Sequence, residues 1–334
     1  MAGLNDTLTK NVAAFDAGAH VTTVCFLANE PTFALADGTI LMGEGDNARR
    51  ITAHDGTILV AQGDGTRLIT GGDDGRVVLT DARGGITEIG HEKGRWIDAV
   101  TLGPSGSAAW SAGKTVSARD GKGVVKTFTA PSSSRGIVFA PKGYRLAISH
   151  VDGASLWFPN VAAPAEQLEW KGVHLDIVWS ADGRFVVSSM QENQLHGWKL
   201  PEKTHMRMSG YPAKTRSMSW SGDGNWLATS GAEAAIIWPF AGTGPTGKAP
   251  RECGVRPRRV TRTAFHPKAL VLAIGYEDGL ILLVRLTDAS ELLVRHAAPG
   301  GAITALAWDA AGNRVAFGTD DGPAGVLTLP GGPA

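Results

Sequence analysis

Short apolar segments alternate with glycine-containing turns along the chain, and no apolar stretch has the spacing of a long helix. Segments such as ITALAW (303–308), FVVSSM (185–190) and WLATSG (226–231) are rich in Val, Ile, Leu and Thr and are bounded by turn residues. This combination is typical of β-strands. The 44 glycines are spread over the chain rather than collected in a linker. The pattern therefore predicts an all-β protein.

A bulky apolar residue followed by a four-residue turn recurs with a period near 40 residues. The clearest copies are WSADG (179–183), WSGDG (220–224), FAPKG (139–143) and WDAAG (308–312). With the weaker copies, the first residues give eight anchors, which are Phe26, Ala61, Leu102, Phe139, Trp179, Trp220, Phe265 and Trp308. A period of about 40 residues is the length of one four-stranded propeller blade.

Each repeat contains further strand segments after its anchor. A second strand such as RLAISH (145–150) is followed by an Asp-Gly turn, a third strand and a more polar fourth one. Asp-Gly favours a type I′ hairpin, in which both central residues have positive φ. These turns are Asp37-Gly38, Asp74-Gly75, Asp152-Gly153, Asp278-Gly279 and Asp321-Gly322. Four-stranded sheets bury both faces when they stack radially. We therefore expect residues 1–334 to form a single closed β-propeller of eight four-stranded blades, with seven as the alternative.

These repeats resemble those of the WD-repeat family in a degenerate form. The family's aromatic-Ser-Pro-Asp-Gly turn is the best-kept feature, in the copies quoted above. Trp157, Trp198 and Trp238 fall where the family has a Trp at the end of the third strand, although none is followed by Asp. The family's Gly-His pair is intact only at Gly90-His91.

The resemblance implies a way of closing the ring and a set of stiffening hydrogen bonds. In the family, a strand from the other chain end commonly completes the last blade. Here that strand would come from residues 8–17, within a lead-in of residues 1–19. The family also pairs a His with the hairpin Asp inside a blade. The equivalent pairs, with a basic residue in place of His in the last three, are His54 with Asp74, His20 with Asp37, Arg135 with Asp152, Arg216 with Glu233 and Arg259 with Asp278.

Charge and cysteine content narrow the function classes. Lys plus Arg and Asp plus Glu both number 32, so no net field attracts nucleic acid or an anionic membrane. The two cysteines, Cys25 and Cys253, have no metal-ligand spacing and are expected to be free thiols. The N-terminus lacks the features of a signal peptide, and the longest apolar runs are too short to cross a bilayer. We expect a cytoplasmic protein with no membrane partner, metal or cofactor.

One segment is similar in sequence to a phosphate-binding loop. GTGPTGKA (242–249) has the glycines and Lys248 of that motif, but Ala249 stands where a Ser or Thr would hold magnesium. Pro250 and a strand-like stretch follow instead of a helix. The segment is therefore interpreted as a loop between two strands.

The sequence favours a non-catalytic scaffold that binds a protein through the loops between repeats. In a propeller these loops share one side, here called the loop face, where rigid sheets hold them in place. The dense basic run 248–262 lies partly in one of these loops, so an acidic or phosphorylated partner is expected. The candidate partner-binding residues are Arg95, Trp96, Arg135, Arg216, Arg256, Arg258 and Arg259.

Two other functions stay open. A propeller enzyme or a cofactor or metal binder would use the central channel, with several carboxylates or histidines converging on the axis. Binding of phosphorylated or nucleic-acid ligands would use segment 248–262, although the neutral net charge does not favour nucleic acid. No catalytic residue set emerges, because the histidines are scattered and the paired aspartates lie in turns where Asp is expected for backbone reasons. The basic loops would also lose their charge if the acidic hairpin turns on the same face neutralised them.

Overall fold

The computed structural model describes residues 7–298 and 301–331, so residues 1–6 of the expected lead-in lie outside the described residues. Its strands form antiparallel sheets arranged in a propeller ring. Within the described residues the helical segments are single 3-10 turns, at Thr9–Asn11, Gly45–Asn47 and Pro104–Gly106. The all-β prediction is confirmed.

Along the chain, each sheet is built from consecutive strands. The first four-stranded sheet contains β2 (Val21–Leu27), β3 (Glu30–Leu35), β4 (Thr39–Met42) and β5 (Arg49–Thr52). The second contains β6 (Ile58–Gly63), β7 (Arg67–Gly72), β8 (Arg76–Asp81) and β9 (Ile86–His91). The third contains β10 (Ala99–Leu102), β11 (Ala108–Ala112), β12 (Thr115–Arg119) and β13 (Val125–Thr129). A six-stranded sheet follows, with β14 (Ile137–Phe139), β15 (Leu146–Trp157), β16 (Glu166–Trp179), β17 (Phe185–Met190), β18 (Leu195–Lys199) and β19 (Thr204–Met208).

Three further four-stranded sheets complete the ring. Two of them are β20 (Met218–Trp220), β21 (Trp226–Thr229), β22 (Ala235–Pro239) and β23 (Arg251–Cys253); and β24 (Val260–Phe265), β25 (Val271–Tyr276), β26 (Ile281–Arg285) and β27 (Glu291–Arg295). The last one joins both chain ends, with β28 (Ile303–Trp308), β29 (Arg314–Thr319), β30 (Pro323–Thr328) and β1 (Val12–Asp16).

Strand β1 closes the ring, as expected from residues 8–17. It pairs antiparallel with β30, from Val12 opposite Leu327 to Asp16 opposite Pro323. The first strand of the chain is thus hydrogen-bonded to the last one. The predicted closure is confirmed.

Counted as hydrogen-bonded sheets, the ring has seven members, which is the alternative count, and the expectation of eight separate blades is corrected. The six-stranded sheet contains the anchors of two repeats, Phe139 and Trp179. Its strands β15 and β16 are long and change partners along their length. In β15, residues 146–148 pair with β14 and residues 151–156 pair with β16. In β16, pairing passes from β15 to β17 at His174. The long strand β16, which pairs with β15 and then with β17, therefore merges two repeats into one sheet.

The anchors lie in the innermost strand of each repeat. Four of them, Phe26, Phe139, Trp179 and Phe265, are buried between neighbouring sheets. The other four, Ala61, Leu102, Trp220 and Trp308, are half-buried. The regular period of the sequence therefore reflects one packing position that is repeated around the ring.

The Asp-Gly turns differ in type from the expectation. Only Asp152-Gly153 has positive φ at both residues, 63° and 142°, as a type I′ turn requires. At Asp37-Gly38 only the glycine is left-handed, with φ 86°, and a Cβ there would meet backbone oxygens of residues 54 and 56. The Asp37 carboxylate instead accepts a hydrogen bond from the Thr39 N–H, at 3.0 Å. Asp at these positions therefore acts mainly as a turn acceptor.

Side-chain hydroxyls link the inner strands of neighbouring sheets, which share no backbone ladder. Thr304 of β28 donates to the Val21 carbonyl of β2 at 2.6 Å, across the closure of the ring. Thr22 of β2 donates to the Ile58 carbonyl of β6 at 3.1 Å. Further donor–acceptor pairs of this kind are Thr23 with Ala61, Ser217 with Thr263, and Thr261 with Ile303. We call this set the hydroxyl belt.

The buried anchors give a stability prediction. Trp179 is 7% exposed, and the Arg145 guanidinium lies over its ring. Truncation of Trp179 to Ala leaves a cavity between sheets, so Trp179→Ala should lower the free energy of unfolding by about 3–5 kcal/mol. Trp96, 67% exposed, is the matched control, and Trp96→Ala should cost less than about 0.5 kcal/mol. Urea denaturation followed by circular dichroism measures both, and equal midpoints for the two variants would contradict the packing role.

Candidate functional site

The exposed tryptophan of the loop face lies between β9 and β10. Trp96 has a large apolar ring that is 67% exposed, and the side chain of Arg95 next to it is also exposed. The neighbouring hairpin turn supports this loop, because Gly75 accepts a backbone hydrogen bond from Glu92 at 2.8 Å. Inter-repeat loop and hairpin turn therefore share one face here. A fixed, exposed ring beside a guanidinium has the composition of a protein-binding hot spot.

Some of the predicted basic residues form ion pairs, and others do not. Arg256 forms an ion pair with Glu291 at 2.5 Å, and Arg259 forms one with Glu277 at 3.2 Å. Glu277 lies in the acidic hairpin turn between β25 and β26, so the Arg259 pair is a neutralisation of the kind that the alternative expected. Together the two pairs neutralise two of the three candidate arginines of segment 248–262. Arg258 is exposed and has no hydrogen-bond or ion-pair partner within residues 7–298 and 301–331.

Arg216 and Arg259 line one cavity on the loop face. Its volume is about 500 Å³, and Lys214, Glu277 and Asn193 also contribute to its walls. The cavity is polar and contains more basic than acidic side chains. Arg95, Trp96, Arg256 and Arg258 are not part of this cavity. The structure thus brings together only some of the residues that the sequence suggested.

A second cavity, of about 330 Å³, lies on the axis of the ring. Its lining residues belong to several inner strands or directly precede them. Inner strands of different sheets approach one another at the axis of the ring. The complete lining is Thr22, Thr23, Leu59, Val60, Ala61, Asp98, Ala99, Val100, Arg135, Ile137, Asp176 and Arg262. Arg135 therefore belongs to this channel as well as to the loop face. Asp98 and Asp176 are charged channel residues that the sequence did not indicate, and Arg262 is the last residue of the basic segment 248–262.

The four charged channel residues have different bonding. Asp98 accepts a hydrogen bond from the Gly113 N–H at 2.6 Å, and Asp176 accepts one from the Ile177 N–H at 2.9 Å. Arg262 donates through Nε to the Thr304 carbonyl at 2.5 Å and through Nη1 to the Thr261 carbonyl at 3.0 Å. Arg135 has no side-chain partner in the described part of the chain.

Enclosure in the ring shifts the pKa values of two channel groups. The Asp176 carboxyl faces the channel, where the surrounding protein disfavours its charged form and raises its pKa, although Arg262 partly opposes this. Burial lowers the pKa of the Arg262 guanidinium, and the positive charge of Arg216 nearby lowers it further. Charges of both signs thus lie close together at the axis.

Only one of the expected His–Asp pairs forms. Both carboxylate oxygens of Asp74 lie 3.0–3.1 Å from His54 Nδ1, and His54 Nε2 lies 2.8 Å from the Thr70 hydroxyl. The His20–Asp37 pairing is wrong, because Asp37 binds Arg50 at 2.9 Å instead.

The three pairs with a basic residue are also wrong. Asp152 accepts a hydrogen bond from the Gly172 N–H instead of from Arg135, and Arg259 binds Glu277, one residue before the expected Asp278. Arg216 and Glu233 are not joined by a salt bridge within the described chain.

Other residues take the stiffening role. Trp238 Nε1 donates to the Tyr211 hydroxyl, which lies 2.6 Å from the Thr229 hydroxyl. Trp110 Nε1 donates to Glu92 at 2.9 Å. Tyr211 and Glu92 each precede their partner strand by a spacing similar to that of His54 and Thr70. This spacing in the sequence could therefore have identified Tyr211 and Glu92 as stiffening residues.

Segment 242–249, which is similar to a phosphate-binding loop in sequence, is a loop between two strands, as interpreted from the sequence. Lys248 Nζ donates to the Ala241 carbonyl at 2.8 Å, so the lysine forms a hydrogen bond within its own loop. Gly244 packs close to Phe185 and Met206. Strand β23 follows, instead of the helix that phosphate binding needs. Cys25 and Cys253 are free and buried, and burial raises the pKa of the Cys25 thiol to about 12.

A buried histidine lies between the two repeats that share the six-stranded sheet. His196 is fully buried, and Trp170 stacks on its ring at 4.0 Å between centroids. Both ring nitrogens of His196 lack a hydrogen-bond partner within the described residues. Trp170 itself is half-buried.

Comparisons with known proteins support the fold. The sequence matches no protein-family model and no curated protein. Among solved structures 1771 chains match, which indicates a common architecture. One is the crystal structure of the computationally designed Ika8 protein, with a TM-score of 0.77 and 18% identity over 94% of this chain and 98% of that chain. At this identity the likeness concerns the fold alone. Among the described residues, no helix has the length and apolar character to span a membrane.

The His196 site predicts a pH dependence of stability. Burial and the neighbouring charges of His174, His205 and Arg207 lower the pKa of His196 to about 3. An unfolded chain takes up a proton at this side chain near pH 6.5, whereas the folded chain does not. The free energy of unfolding should therefore fall as the pH drops from 6.5 towards 3, by about 1.4 kcal/mol per pH unit for this group.

Urea denaturation at several pH values between 7 and 4.5 measures this slope. His196→Phe should unfold with a smaller loss on acidification than the wild type, and the exposed His296→Phe is the matched control. Equal slopes for the wild type and His196→Phe would show that His196 does not carry the effect.

Proposed function

We propose that this propeller is a non-catalytic scaffold that binds a protein partner through its loop face. The observation that carries the proposal is the exposure of the Trp96 ring beside Arg95, on a loop that the adjacent hairpin holds in place. Tryptophan and arginine dominate the binding energy of protein interfaces when partners bury them. Their fixed positions reduce the ordering cost of association.

The charge of the loop face favours an acidic or phosphorylated partner. Arg135, Arg216 and Arg258 keep side chains that form no ion pair within residues 7–298 and 301–331. Arg256 and Arg259 are ion-paired, so we assign them a smaller share of the binding energy than their place in a basic run suggested. Unpaired arginines offer planar donors that fit carboxylate and phosphate groups.

We further propose that residues 1–334 act as one domain of the WD-repeat type in the cytoplasm. The His54–Asp74–Thr70 network and the strand-ending Trp198 and Trp238 support a relationship to that family. We also infer that the six-stranded sheet works as two blades, because β15 and β16 each supply segments to two partners. Loops of eight repeats would then surround the channel.

Affinity capture tests the proposal. Tagged wild-type protein and the double variant Trp96→Ala, Arg216→Glu are incubated with lysate, and bound proteins are quantified by mass spectrometry. A specific partner should lose about 2 kcal/mol or more of binding energy in the double variant. The matched control is Lys126→Glu on the outer strand β13, which leaves the loop face unchanged.

Capture of the same proteins in the same amounts by the wild type and the double variant would contradict the proposal. Binding that falls steeply with salt and copurifies with nucleic acid would favour a polyanion as the ligand instead. A partner that the Lys126→Glu variant alone loses would place the interface on the outer rim.

A further inference from the structure

We propose that the channel on the ring axis binds a small oxyanion, a phosphate or carboxylate group of a small molecule, between Arg135 and Arg262. Both side chains line the same cavity of about 330 Å³. This site shares Arg135 with the loop face but does not include Trp96, so the anion site can form whether or not a protein partner binds.

The first support is the supply of unused hydrogen-bond donors. A guanidinium has five N–H groups. Arg262 uses Nε and Nη1 on backbone carbonyls, and its Nη2 has no acceptor within the described residues. Arg135 uses none of its five. Donors that face a channel and point to no protein acceptor match the needs of an oxyanion.

The second support is the rigid hold on Arg262. Its Nε donates to Thr304 of β28, and its Nη1 reaches the Arg216 carbonyl before β20 at 3.4 Å. The guanidinium is thus fixed between strands on both sides of its own. A fixed donor loses little freedom when a ligand binds.

The third support is the charge balance of the cavity. Asp98 and Asp176 line it as well, but neither forms an ion pair within 4.0 Å of Arg135 or Arg262 in the described structure. Each carboxylate accepts a backbone N–H instead. The positive charge of Arg216, outside the cavity, and the negative charge of Asp176 both act on Arg262. Like charges that no carboxylate bridges are stabilised by an anion between them.

The size of the cavity selects the ligand class. A volume of about 330 Å³ corresponds to about ten water molecules. That space admits inorganic phosphate or a small phosphorylated or carboxylated molecule, but not a folded segment or a nucleic-acid duplex.

Isothermal titration calorimetry of the full chain tests the proposal, with sodium phosphate and sodium citrate as probes and sodium chloride as the blank. We expect saturable, one-to-one binding of at least one probe, and the preferred probe distinguishes a phosphate site from a carboxylate site. Arg135→Ala should weaken that binding by about tenfold or more, since it removes charge-assisted hydrogen bonds. Arg258→Ala, on the loop face outside the cavity, is the matched control and should bind like the wild type.

Two further variants keep the result interpretable. Arg262→Lys retains the charge but loses the planar guanidinium with its paired N–H donors, so it should weaken anion binding. The urea midpoint of this variant shows whether the ring stays folded. Trp96→Ala should bind the anion normally, so failure of partner capture and failure of anion binding are distinguishable. Absence of saturable heat with both probes, or unchanged affinity in Arg135→Ala, would overturn the proposal.

Discussion

The contact between neighbouring inner strands is the constraint on which this ring depends. These strands belong to different sheets, so no backbone ladder joins them, and their polar groups near the channel need other partners. The hydroxyl belt supplies them, because Ser and Thr on one inner strand donate to carbonyls of the next. Apolar anchors such as Phe26 and Trp179 fill the space between the sheets behind this belt. Closure through β1 then makes every sheet an interior member of the ring.

The same constraint shapes both candidate sites. Since inner strands are fixed by their neighbours, the loops that lead into them hold Trp96 and Arg216 at set positions on the loop face. Arg262 shows the connection most directly, because the side chain that helps to link β24 and β28 also faces the axis. Binding sites of this kind depend on loops and channel residues, while the sheets beneath stay the same.

The sequence predicted those features that repeat in every unit. The anchors, the strand segments, the closing strand and the His54–Asp74 pair all follow from local spacing. The merging of two repeats could not be predicted, because it depends on whether β16 continues from one repeat into the next. The ion pairs of Arg256 and Arg259 involve residues of other strands, so they depend on register rather than on charge patterns. Asp98 and Asp176 were missed, and the place of Arg262 in the channel was not predicted, because a one-residue shift decides whether a side chain faces the channel.

Replacement of one belt hydroxyl tests this account most directly. Thr304→Val keeps the shape of the side chain but leaves the Val21 carbonyl without its donor at the closure of the ring. Thr246→Val, at an exposed loop position, is the matched control. The account predicts that urea denaturation will show a loss of about 1 kcal/mol in the free energy of unfolding for Thr304→Val relative to Thr246→Val. Equal stability of the two variants would contradict it.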